Sequence, residues 1–396
     1  MKIDIITFHF IPNQGAVLQC CATKLFLEKN GHEVVVIDYR PYYHTVRYCK
    51  NRNPFRYAGW YWKKHKNKRL IKRLIIFGKS FTRAIILNFK KDENKSLDKF
   101  DTFVRNNLPL TKRYVSLKQL KANPPVADVY ISGSDQLWNP QLLDQVFDKA
   151  YFLDFGDNQT VRVSYAVSMG EIQETKYLNE LKDYCKKFNS VSFREYDSKT
   201  VIATGRDVHI CIDPTLLLEA SDYEKLESKV VEKEPYIFVY GFEDTPEIHC
   251  AIDLAKTRYN CRIINGSPHR IFLERTENLR DYGPDRFLTL VKEAKCIVTN
   301  SFHGTAFSII YKKEFITVAH STRGNRMVEI LGKLGLNQRL WGSEEFSFDD
   351  TLDWGKIYNK LNILRQNSSG YLLSAIKGIS GEEIPHWDEE HIQMKY

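Results

Sequence analysis

The sequence predicts an α/β protein made of two doubly wound units, and three observations predict it. Short apolar runs of buried-strand character alternate with helix-spaced stretches along most of the chain. Almost every such run leads straight into glycine or polar residues, the place where open α/β sheets keep their ligand crevice. A charged stretch at 219–235 interrupts the alternation, which then starts afresh. The length of 396 residues suits two to three folded units, at about 150 residues per unit.

The elements follow in order. Residues 3–8 form an apolar run ending in the loop Phe10-Ile11-Pro12-Asn13-Gln14-Gly15. Helical spacing over 16–27 stops at Gly31, in the position just past a helix end, and 33–38 is a second strand. Strand, glycine-bearing loop, helix and strand make a βαβ unit. Further strands are expected at 126–132, 161–168, 190–193 and 209–212. They run into Gly133-Ser134-Asp135-Gln136, Gly170, Arg194-Glu195 and Asp213-Pro214. Past the charged stretch, strands are expected at 236–240, 261–264, 296–299 and 314–318, with helices at 246–259, 285–294 and 305–311. Helical spacing returns from Trp354 to Ile379, in a tail expected to fold back on the first unit. The division is therefore a first unit at 1–218 with an insert at 39–94, a linker at 219–235, a second unit at 236–350 and a C-terminal segment at 351–396. Two Rossmann-like units facing a cleft, with a returning C-terminal helix, describe a GT-B-like architecture whose site lies between the units.

The formal charge of +9 is unevenly spread. Residues 39–91 hold 16 Lys or Arg and no Asp or Glu, so the rest of the chain is mildly acidic. Aromatics such as Tyr42, Phe55, Trp60 and Trp62 lie among these cations. From Leu70 to Lys91 the spacing is helical, with Leu74, Phe77, Phe81 and Ile85 on one side and Lys72, Lys79, Arg83 and Lys90 on another. Such a helix suits an anionic membrane surface; the alternative is a helix packed on the protein with a solvated charged side. Nucleic acid is not expected, because no binding motif accompanies the charge. No apolar stretch of about 18 residues is present to span a bilayer. Asp4 and His9 interrupt the apolar start that a signal peptide would need, and the eight cysteines show no zinc or disulfide spacing. The expected location is the cytoplasm, peripherally at the inner face of the cytoplasmic membrane.

The most informative segment is 296–316, CIVTNSFHGTAFSIIYKKEFI. A buried strand runs into Asn300-Ser301, and the next helix begins near Thr305. The unpaired amides of a helix start suit phosphate or carboxylate, and Gly304 lets an anion approach the backbone. His303 stands at that point, and histidine is the side chain whose ordinary titration lies nearest neutrality, suited to proton transfer.

These residues also carry a resemblance. Gly283-Pro284, Phe287, Val291 and Ala294 followed by Thr299-Asn300-Ser301-Phe302-His303-Gly304 are similar to the most recognisable block of the polysaccharide pyruvyl transferases. Matching blocks at 13–19, 132–139, 164–170, 192–195, 213–215 and 326–336 occur in the family's order. The resemblance implies transfer of the enolpyruvyl unit of phosphoenolpyruvate to two hydroxyls of a sugar, forming a cyclic ketal, with phosphoenolpyruvate as co-substrate and no cofactor. The acceptor it implies is a surface-polysaccharide precursor, and the basic insert suggests one that is lipid-linked. His303 and Arg194 become the catalytic candidates. Ser301, Gly304, Thr305 and Arg326 become donor-binding candidates, since guanidinium groups bind such anions bidentately. Asn13, Gln14, Gly15, Asp135, Gln136 and Trp138 become acceptor-binding candidates, while Asp213 reads as a loop brace. No metal is expected. In some family members an Arg and a Leu precede the histidine where this chain has Ser301 and Phe302; Arg326, Arg323 or Lys312 are the candidate replacements. Two alternatives stay open: a nucleotide-sugar glycosyltransferase of the same architecture, and a membrane-associated scaffold with a decayed site.

Overall fold

The computed structural model describes residues 1–48, 52–89, 91–170, 175–268, 271, 273, 276–321 and 324–385. Strand β1 (Lys2–Ile6), helix α1 (Gln14–Lys29) and β2 (Glu33–Val36) form the opening βαβ unit. The insert supplies α2 (Tyr42–Thr45), α3 (Pro54–Lys64) and α4 (Leu70–Phe89), and α5 (Lys91–Asn107) leads out of it into the main core. Then come α6 (Leu117–Ala122), β3 (Val129–Ser132), β4 (Val161–Ser164), α7 (Thr175–Cys185), β5 (Ser192–Phe193), α8 (Ser198–Thr204) and β6 (His209–Ile210). The first sheet runs β2-β1-β3-β4, all parallel, and bridges from Val163 to Ser190 and from Val167 to Phe193 carry it on to the β5–β6 pair. Its strands are buried on both faces, as parallel strands covered by helices are.

The second sheet repeats the plan. Strand β7 (Tyr236–Tyr240), α9 (Pro246–Tyr259), β8 (Arg262–Asn265), β9 (Glu277–Asn278), α10 (Pro284–Glu293), β10 (Cys296–Thr299), α11 (Phe302–Ile310) and β11 (Glu314–Thr317) follow in the chain. Their order is β11-β10-β7-β8-β9, again all parallel. The chain winds one way from β1 and β7, then the other, so the switch points lie between β1 and β3 and between β7 and β10. Crevices form outside the carboxyl ends of the strands at such points.

Helix α12 (Asn325–Leu334) precedes α13 (Trp354–Ala375), the returning helix. Arg365 on α13 donates to the carbonyls of Leu216 and Leu218, both at 2.7 Å, and Ser368 Oγ accepts the Ile212 amide at 3.0 Å. The Tyr371 hydroxyl donates to Ser164 O at 3.0 Å. One continuous hydrophobic cluster joins Ile5 and Leu18 of the first unit to Phe238, Phe287 and Phe307 of the second and to Leu372 of α13. The two units thus share a core.

Helices α3 and α4 form a hairpin around their own small core of Val46, Tyr57, Trp60 and Ala84. The apolar line expected along this helix is split. Phe77 and Phe81 are half-buried against Trp62 and Phe55, while Leu74 and Ile85 are exposed. Lys90 lies outside the described residues. Among the described residues, no helix is long and apolar enough to cross a membrane.

Candidate functional site

The site starts from the turn after β10. Asn300 ties the ends of β10 and β7 together: its Oδ1 accepts the Phe242 amide at 2.7 Å and its Nδ2 donates to Glu243 O at 2.9 Å. Ser301 is the N-cap of α11 and accepts the Gly304 amide at 3.4 Å. A Cβ on Gly304 would lie 2.2 Å from Thr299 Oγ1, so glycine lets the helix begin hard against the strand. Thr305 Oγ1 donates to Ser301 O at 3.2 Å and lies 2.8 Å from Thr317 Oγ1. Ser301, Gly304 and Thr305, expected at the donor, are thus engaged in holding the turn. What the turn presents is Phe302 and His303.

His303 presses against the first unit. Asn13 caps α1 by accepting the Ala16 amide at 3.1 Å, which fixes Gly15 in the first turn. A Cβ on Gly15 would stand 1.9 Å from His303 Nδ1, so the imidazole fills the space that glycine leaves. Gly15 serves close approach rather than a tight loop. The other ring nitrogen, Nε2, is 3.6 Å from Asp213 Oδ2 and is buried with no hydrogen-bond partner among the described residues.

Asp213 is the hub. Its Oδ1 accepts the Thr215 amide at 3.0 Å and the Thr215 hydroxyl at 2.7 Å, the bracing role expected from sequence. Its Oδ2 accepts Arg194 Nη1 at 2.8 Å and Ser134 Oγ at 3.0 Å, and also faces His303. Burial alone would raise its pKa; His303 first, then Arg194 and the Thr215 amide, reverse this and hold the carboxyl well below the usual carboxylate range. The sequence reading gave Asp213 only the brace to Thr215; its contacts with Ser134, Arg194 and His303 are added by the fold.

Arg194 is buried in the same cluster. Its Nε is 3.5 Å from Glu195 Oε2, while Nη2 has no hydrogen-bond partner among the described residues and stands 4.0 Å from Asp135 Oδ1. Its guanidinium carbon lies 5.2 Å from the centre of the Phe302 ring, and that of Arg326 lies 5.6 Å from the same centre. Two guanidinium groups therefore converge on one ring within cation–π reach. A cavity of about 890 Å³ adjoins them, with Arg194, Asp213, Phe302, Arg326, Lys333 and Asn367 among its walls.

The remaining candidates divide. Gln14 is buried beside Gly15, and Asp135 approaches Arg194 from the loop after β3. Gln136 is occupied with Asn139 at 2.8 Å. Trp138 corrects the sequence reading: it is fully buried, stacked on Phe152 at 4.4 Å, and donates its indole N–H to Tyr151 O at 3.0 Å. Its ring faces belong to the core and are not a platform for a sugar. Lys312 follows the far end of α11, over Tyr358 at 4.2 Å, so it does not replace the missing arginine. Arg323 lies outside the described residues. Among the described residues, no group of three or more His, Cys, Asp or Glu side chains converges to hold a metal.

Two doubly wound sheets meeting at a buried imidazole–carboxylate–guanidinium cluster, with a helix crossing back, define a GT-B-like α/β architecture. The chain belongs to the polysaccharide pyruvyl transferase family, whose profile matches residues 13–322. It is thus placed among transferases of polysaccharide pyruvylation. Among curated proteins none matches. Similar solved structures include the S. aureus MnaA–UDP complex, at 10% identity and TM-score 0.45, covering 99% of this chain and 95% of that one. A Methanocaldococcus jannaschii UDP-GlcNAc 2-epimerase with UDP-GlcNAc and UDP shows 15% identity and TM-score 0.41, over 92% and 99%. Spinosyn forosaminyltransferase shows 10% identity and TM-score 0.40, over 100% and 98%.

Proposed function

We propose that this protein moves the enolpyruvyl unit of phosphoenolpyruvate onto a sugar of a lipid-linked surface-polysaccharide precursor, closes it as a cyclic ketal and releases phosphate. The observation that carries the reading is His303, wedged on Gly15 with its Nε2 beside the Asp213 carboxylate that Arg194 also engages. A proton passes from the His303 imidazolium to the methylene carbon of the donor, giving oxocarbenium character at the neighbouring carbon. A sugar hydroxyl adds there and loses its proton. Phosphate leaves from the same carbon with its bridging oxygen, and a second hydroxyl closes the ring with loss of another proton. The balance is one phosphoenolpyruvate and one diol in, one ketal and one phosphate out.

Asp213 holds the imidazole and balances a positive charge on it. Arg194 and Arg326 bind the two anionic groups of the donor at the Phe302 ring, replacing the arginine that precedes the histidine in other family members. Ser301, Gly304 and Thr305 position Phe302 and His303, Gly15 seats the imidazole, and Asn13, Gln14 and Asp135 face the acceptor. No cofactor or metal takes part in the scheme.

The test is phosphate release from phosphoenolpyruvate with a panel of glycosyl-diphospho-lipids, for the unmodified protein and for His303→Ala. Release that needs both an acceptor and His303 supports the reading. Release that survives the substitution removes His303 from the proton transfer. Thermal protection by UDP or GDP but not by phosphoenolpyruvate would favour glycosyl transfer instead.

A further inference from the structure

Eight of the 18 exposed large apolar side chains among the described residues sit on the α3–α4 hairpin, far more than its share of the chain. On α4 the packed face carries Arg73, Phe77, Ser80, Phe81 and Ala84, spaced at three or four residues. A second set, Ile71, Leu74, Ile75, Ile85, Ile86 and Phe89, runs along the opposite side and faces solvent; Ile71 is 72% exposed and Phe89 81%. Gly78 and Thr82 continue the stripe between them. Lys72, Lys79 and Arg83 flank it, all exposed, with no acidic residue anywhere from 39 to 91 to offset their charge.

We infer that the α3–α4 hairpin is an in-plane membrane anchor. Its stripe sinks into the boundary between headgroups and acyl chains of an anionic bilayer, with the flanking cations on the lipid phosphates. The helix has 20 residues, about 30 Å, long enough to lie in the surface plane. The charge selects the occupant: an anionic surface complements an acid-free segment, whereas a second copy of the same hairpin would set like charges together.

Helix α2 links the hairpin to the first unit: Val46 just past α2 and Tyr43 pack with the hairpin's core, Tyr43 donates to Asp148 Oδ2 at 2.6 Å, and His44 packs edge-on to Phe8 at 5.0 Å and Phe10 at 6.1 Å. Phe10 lies in the loop that leads to Asn13 and Gly15, the contact of His303. The anchor therefore stands at the carboxyl end of the first sheet, the end that carries the site. That it delivers the site to a lipid-linked acceptor rests on the proposed transfer; that it binds a bilayer does not.

Vesicle flotation tests it on the full chain, with phosphatidylcholine alone and with phosphatidylcholine plus phosphatidylglycerol. The unmodified protein is expected to float with the anionic vesicles. The variant Ile71→Asp/Ile75→Asp/Ile86→Asp/Phe89→Asp is expected to stay in the soluble fraction with an unchanged circular dichroism spectrum and melting temperature. Lys72→Gln/Lys79→Gln/Arg83→Gln is expected to weaken binding roughly fivefold per cation removed. The proposal is overturned if the unmodified protein ignores anionic vesicles, or if the stripe variant floats equally well. A dimer that the stripe variant dissociates, with no flotation of either, overturns it in favour of self-association. Phosphate release with a water-soluble acceptor, retained by the stripe variant, reports separately on the chemistry.

Discussion

At the level of single residues, the site is held by contacts that cross between the two units. Gly15→Ala places a methyl 1.9 Å from the imidazole, and the ring has to move. A shift of this size is expected to lower kcat roughly 100-fold with the melting temperature nearly kept, measured by phosphate release and calorimetry side by side. Asp213→Asn removes the nearest carboxylate of buried Arg194 and the neighbour of His303, leaving Glu195 and Asp135 farther off, and is expected to cost about 3 kcal/mol in urea unfolding. The sign follows from the depressed pKa of Asp213: its contribution is present above the ordinary carboxylate pKa and lost as pH falls through the lower folded value, so the variant should lose part of the acid transition. The position of His303 at the mouth of β10 was legible because a polar turn after a buried strand is a local signal. Asp213 was half-legible: its brace to Thr215 is local, but its partners Ser134, Arg194 and His303 come from three distant loops. Trp138 was misread because its environment, Phe152 and Tyr151, is tertiary.

At the scale of elements, β1 carries a liability in the middle of the first sheet. Asp4 is buried, and neither carboxylate oxygen has a hydrogen-bond partner among the described residues. Burial pushes its pKa up to about 6. A raised folded-state value means the stability is full below the unfolded pKa, near 3.8, and is lost as pH rises to about 6. Asp4→Asn is therefore expected to raise the melting temperature at pH 7 and to flatten its decline between about pH 4 and 6. A variant no more stable than its parent at pH 7 would contradict this. For α4, period and length were readable but the buried face was not, because apolar residues occupy more than one side and the packing partner α3 decides between them. Strand β4 stops at Val161–Ser164, short of the expected 161–168, because Ala166 adopts a φ of +47° and turns the chain.

At the scale of the whole molecule, the doubly wound order was legible from the alternation of buried runs and helices, since parallel strands covered on both faces leave an unbroken apolar signature. The continuity of the core across the two units was not, because α1, α10 and α13 meet only in three dimensions. That continuity predicts a single cooperative calorimetric transition for the full chain; two separated transitions would show that the units unfold independently. Removing the carbonyl contacts of the returning helix with Arg365→Ala should lower that one transition rather than split it.

In the proposed transfer a proton from His303 turns the methylene of phosphoenolpyruvate into the methyl of a ketal. Turnover in heavy water, followed by proton NMR of the sugar product, tests it most directly. The expected product has a ketal methyl carrying a single deuterium, formed in step with phosphate and absent with His303→Ala. A product without a pyruvyl methyl, or an identical yield from the alanine variant, would contradict it.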